Sequence, residues 1–107
     1  MVNYKLQKPI KSMSDVEITE LNLDYDALTL GDFKTANKIA SMISESQPGA
    51  VNNSDVSPRL NSDLRIGVAW AAALKGTKGI SIHDVLQLSL VDAMCLSEDA
   101  LSSYLFR

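Results

Sequence analysis

The chain has 107 residues, 46% hydrophobic and 21% charged, with ten Lys and Arg against thirteen Asp and Glu for a net charge of −3. That is the size and balance of one small folded domain rather than a disordered chain, and its acidity leaves it without the positive field of a nucleic-acid binder. A single cysteine, Cys95, excludes an internal disulfide, the opening MVNYKLQKPIK lacks a secretory-signal pattern, and the longest apolar run, Ile66 to Leu74, is too short to cross a bilayer. A cytoplasmic protein, with neither nucleic acid nor membrane among its partners, is therefore expected.

Val2, Tyr4 and Leu6 alternate with Asn3, Lys5 and Gln7, the period of a half-buried strand that Pro9 should end. Turn residues Lys11 to Asp15 follow. In the next extended run Val16 and Ile18 share one parity while Leu21 and Leu23 share the other. A bulge or strand crossing near Thr19-Glu20 would account for the slip. The expected product is a hairpin over residues 2–23, which needs helices against one face.

At residues 30–45 the period becomes helical, with Phe33, Ala36, Ala40 and Ile43 on one stripe and Phe33 as the first core anchor. The helix opens at Thr29-Leu30-Gly31-Asp32, where a glycine invites comparison with a ligand loop. A phosphate loop needs several glycines beside a lysine, and a dinucleotide loop needs Gly-x-Gly-x-x-Gly. Gly31 stands alone and Asp32 would repel phosphate, so the stretch reads as a capped helix start. Gln47-Pro48-Gly49 stops the helix, and residues 46–60 read as a mobile surface loop.

A second helix is expected over 62–75, entered through Asn61-Ser62-Asp63. Leu64, Val68, Ala71 and Leu74 form one face and Ile66, Trp70 and Ala73 another, so this helix should be central or in an interface. Gly76 and Gly79 mark its end. Two further helices, 82–88 and 90–105, begin with the Ser-x-x-acid pattern at Ser81…Asp84 and Ser89…Asp92, and Ser97-Glu98-Asp99 within the last offers a second helix start. The expected fold is thus α+β, a single domain with an N-terminal β-hairpin and three to four helices.

Candidate chemistry is thin. His83 is the sole histidine, with no metal-ligand cluster around it in sequence, and Cys95 twelve residues on has no local partnership with it. Asp24 and Asp26 read as a solvated turn rather than a cation site. No catalytic, cofactor or metal residue is assigned, and an enzyme is not expected. Surplus apolar surface says more. The second face of the helix at Ile66 and Trp70, and the consecutive Tyr104, Leu105 and Phe106, are the candidate partner-binding residues.

The order of motifs resembles one family. Lys8-Pro9-Ile10, Thr19-Glu20-Leu21-Asn22-Leu23, Leu30-Gly31-Asp32, the alanine-rich RIGVAWAAALKG, Asp84-Val85-Leu86-Gln87-Leu88 and Tyr104-Leu105-Phe106 are similar to successive segments of the small tail assembly chaperones of contractile-tailed bacteriophages and prophages. The departures are a longer middle loop and Leu105-Phe106 in place of Phe-Leu. The resemblance implies a binding role without catalytic residues: association with the tape-measure protein, keeping it soluble until tail-tube subunits polymerise around it, and absence from the finished particle. It also implies a longer frameshifted form in many relatives. The tail-tube protein is a second candidate partner, and a homo-oligomer is compatible with the same surface. The competing reading is a small protein-binding or regulatory module with a helix-turn-helix between Ile80 and Leu105.

Overall fold

A computed structural model of the chain describes residues 2–13, 15–45 and 62–102. Among them the elements run β1 (Val2–Lys11), β2 (Glu17–Leu23), a 3₁₀ turn (Tyr25–Ala27), α1 (Leu30–Glu45), α2 (Ser62–Gly76), a second 3₁₀ turn (Ile82–Gln87) and α3 (Leu90–Ala100). This is the expected α+β fold, an antiparallel hairpin followed by helices. The expected loop at 46–60 and the residues Tyr104, Leu105 and Phe106 lie outside the described residues.

The hairpin departs from expectation in one respect. β1 does not end at Pro9 but continues to Lys11. Lys5 pairs with Glu20 and Ile10 with Ile18, so Leu6 to Pro9 together face Thr19 alone. The parity change foreseen near Thr19-Glu20 is real, and the surplus residues sit on β1. Pro9 falls inside this irregular stretch, where a missing N–H breaks no ladder bond. The turn beyond it is closed by Ser12, whose amide donates to Val16 O at 2.9 Å and whose Oγ accepts from Val16 N at 3.3 Å. Asp15 takes the left-handed backbone there, with φ 66°, as short polar residues can.

α2 is the centre of the molecule, as its two apolar faces require. Leu64, Val68, Ala69, Trp70, Ala71, Ala72 and Ala73 are all buried. Its alanines and glycines bring backbones together: a Cβ at Gly67 would collide with the Ala36 carbonyl of α1, and one at Gly76 with the Asn22 carbonyl of β2. Next to Gly76, Thr77 Oγ1 accepts from Asn22 N at 2.8 Å and donates to Asn22 O at 3.2 Å. The hydroxyl thus satisfies the outer edge of β2, where no third strand lies among the described residues.

α1 begins as the cap pattern requires. The Asp32 carboxylate accepts from Thr29 N at 2.8 Å and from the Thr29 hydroxyl at 3.0 Å, and Asp32 N reaches Thr29 Oγ1 at 3.4 Å. Lys75 of α2 adds an ion pair at 3.2 Å. Partial burial would raise the Asp32 pKa, but the Thr29 hydrogen bonds and the Lys75 charge outweigh it and hold it below the usual value. The core stripe of α1 is rotated from the expected one. Ala36 and Ile39 are buried, with Ala40 and Ile43 partly so, whereas Phe33 is 41% exposed. Phe33 lies over a shallow dip with Leu28, Val68 and Ala71 instead of anchoring the core.

Two helix assignments also change. Residues 82–87 form a 3₁₀ turn, not an α-helix, because six residues between two fixed ends are too few to repay an α-helical nucleus. α3 runs unbroken through Ser97-Glu98-Asp99 to Ala100, its inner side fixed by buried Asp92, Leu96 and Ala100.

Candidate docking groove

The position of α3 is set by carboxylates that the sequence presents only as helix-cap acids. Asp84 and Asp92 are fully buried, and each serves its own helical turn and the hairpin at once. Asp84 accepts from Ser81 N at 2.8 Å and from Met13 N at 3.1 Å, with Gln87 Nε2 at 3.1 Å. One oxygen of Asp92 accepts from Tyr4 OH at 2.7 Å and Gln7 N at 2.9 Å, the other from Ser89 Oγ at 3.0 Å and Lys8 N at 3.1 Å. Gln7 and Lys8 are the residues of β1 that the irregular register takes out of the ladder, so Asp92 supplies the acceptors that β2 cannot. Burial would raise the Asp92 pKa, yet these hydrogen bonds outweigh it and hold the carboxyl below its usual value. A second tie is Tyr25 OH to Asp99 at 2.7 Å, with burial foremost in pushing the phenol pKa up and the Asp99 bond adding to it.

With Asp92, Leu96 and Ala100 turned inward, the other side of α3 carries Leu90, Ala93, Met94, Ser97 and Glu98, the i, i+3, i+4, i+7, i+8 spacing of one helical face. Together with Ile43 of α1, Asp63, Arg65 and Ile66 of α2, and Val85, Leu86 and Leu88 beside the second 3₁₀ turn, this face lines a groove of about 550 Å³. Most of the lining is apolar. Leu90 is 75% exposed and Met94 60%, with Leu86 near half. Among the described lining residues the charges are Asp63, Glu98 and the one cation, Arg65. The Nε of Arg65 is buried with no hydrogen-bond partner.

The expected partner-binding residues divide accordingly. Ile66 does line the groove. Trp70 does not: it has no exposed surface, and its indole Nε1 donates to Ser81 O at 3.0 Å. A tryptophan on the second face of α2 is consumed by the 3₁₀ turn and core, so it offers nothing to a partner. Leu86, Leu90, Met94 and Arg65 were not singled out from sequence, although the Leu90–Met94 pair and its i+3 and i+7 neighbours carry a helical stripe distinct from the one through Leu96. His83 is exposed, Cys95 is half-buried, Asp24 is half-buried and Asp26 exposed. Among the described residues no group of three or more His, Cys, Asp or Glu could hold a metal ion, and no helix is long and apolar enough to cross a membrane. The two α-helices of a helix-turn-helix do not form within 80–102, since the first segment is the 3₁₀ turn.

Compared with known protein families, with curated proteins and with solved structures, the chain matches none.

Proposed function

We propose that this chain is a protein-binding domain of the tail-assembly-chaperone type, acting in the host bacterial cytoplasm without a catalytic step. Its client is an apolar helical stretch of a tape-measure protein, held in the groove beside α3 until tail-tube subunits enclose it. The observation that carries this reading is the exposed pair Leu90 and Met94 at the mouth of an apolar groove. Covering such a side chain fully is worth roughly 1.5–3 kcal/mol, so a few together suffice for a reversible holding interaction. The order of motifs along nearly the whole chain supports the choice of client, and the acidic balance of the chain favours a protein over a nucleic acid.

Co-expression with a tape-measure protein tests the proposal. It should raise the client's soluble fraction and yield a complex that co-purifies, and Leu90→Asp should abolish both effects. An unchanged soluble fraction with no complex would overturn it.

A further inference from the structure

The groove has a chemical preference of its own, carried by Arg65. Among the described lining residues it is the one cation in a mostly apolar trough, and its Nε is buried without an acceptor. A buried donor left unpaired is costly, more so on a charged group, and calls for an explanation. The ion pairs among the described residues, Lys11 with Asp15 and Lys75 with Asp32, do not involve Arg65. The walls of the groove are helices and a 3₁₀ turn, whose backbone groups are largely satisfied within themselves. They offer no strand edge to an extended peptide, so an occupant must satisfy its own backbone, as an α-helix does.

We infer that the groove docks an amphipathic α-helix whose apolar stripe covers Leu90, Met94 and Ile66 and which carries one carboxylate placed to pair with the Arg65 guanidinium. A carboxylate fits this place because a guanidinium offers paired N–H donors in the plane that two carboxylate oxygens match. The apolar stripe supplies the affinity, and the acid sets the position along the groove and the choice among otherwise similar helices. The inference rests on the reading of this groove as the client-binding face, but it concerns recognition and not the client's identity.

Synthetic helices keep the two separable. The probes are fluorescently labelled amphipathic peptides with Leu at i, i+4 and i+7, identical except for Glu, Gln or Lys beside the stripe. They are titrated by anisotropy into the full chain at moderate salt. The Glu probe is expected to bind at least tenfold more tightly than the Gln probe, and the Lys probe most weakly. Arg65→Gln should erase the difference between Glu and Gln, and Arg65→Lys should restore part of it. Because the decisive change is in the peptide, the protein need not be altered to refute the claim. Absence of saturable binding, equal affinities, or a Lys probe that binds best would each overturn it, the last by assigning the choice to Asp63 and Glu98. Failure of the tape-measure client to co-purify would count against the proposed function and leave the probe result standing.

Discussion

Replacing Asp92 by asparagine removes one oxygen and the negative charge from a fully buried site while preserving its shape. In the native chain one carboxylate oxygen serves Tyr4 OH and Gln7 N at 2.7 and 2.9 Å, and the other serves Ser89 Oγ and Lys8 N at 3.0 and 3.1 Å. If the amide oxygen keeps the first pair, the NH₂ group faces the second. The Ser89 hydroxyl can turn and accept, but the Lys8 amide cannot, and a buried donor without an acceptor costs about 1–3 kcal/mol. The surviving bonds lose their charge assistance, which roughly halves each. The total is about 3 kcal/mol, a large part of the ~5–15 kcal/mol that separates folded from unfolded small domains.

Urea unfolding at neutral pH measures this loss, and amide exchange at Gln7 and Lys8 locates it. The pH dependence adds a sign. The Asp92 pKa is depressed in the folded state, so its contribution is present above the unfolded value of about 4 and is lost as pH falls through the folded pKa. The gap between native chain and Asp92→Asn should therefore narrow in acid. A variant within 0.5 kcal/mol of the native chain, or unchanged protection at Lys8, would refute the role assigned to this carboxylate.

The remaining expectations concern the helices and the groove. Thr29→Ala should cost ~1 kcal/mol of stability, read by thermal melt, by removing the α1 cap, and should leave client capture intact. Gly31→Ala should instead stabilise by up to ~1 kcal/mol, since the added Cβ would lie in ordinary contact, 3.6 Å from Thr29 Oγ1. Gly67→Ala should destabilise by roughly 1–3 kcal/mol or more, because α1 must move off α2 to clear the Ala36 carbonyl. Leu90→Asp or Met94→Asp should leave the melting temperature almost unchanged, both side chains being largely exposed, and should abolish co-purification of the client.

Much of this fold was legible because local rules and packing agree. The Ser-x-x-acid and Thr-x-x-acid spacings located the helix starts, the alternation of Val2, Tyr4 and Leu6 located the hairpin, and two apolar faces on one helix marked α2 as central. What was not legible depended on partners distant in sequence. Asp84 and Asp92 look like cap acids, and nothing local says that they also bind amides 71 and 85 residues away. Pro9 reads as a strand end only while β2 is assumed to pair with every residue of β1. Trp70 looked like surplus surface because its cover, the turn at Ser81, lies beyond the helix. The groove is hidden in the sequence for a related reason: the two apolar stripes of α3 interleave along the chain, with buried Leu96 on one and exposed Met94 on the other.

α3 therefore joins stability to binding in a way that one experiment can separate. Its inner face is held by the Asp92 bonds to β1, and its outer face forms the groove. A client that occupies the groove binds the folded chain alone, so it should stabilise the fold by RT ln(1 + [L]/Kd), about 2.7 kcal/mol at a hundredfold excess over Kd. That is close to the ~3 kcal/mol expected from Asp92→Asn, so saturating client or Glu probe should return this variant to nearly native stability. Leu90→Asp should behave in the opposite manner, with native stability alone and no gain from ligand. If ligand failed to rescue Asp92→Asn while still binding the native chain, the variant's groove would no longer bind, and the premise that the outer face of α3 survives loss of the Asp92 bonds would be wrong.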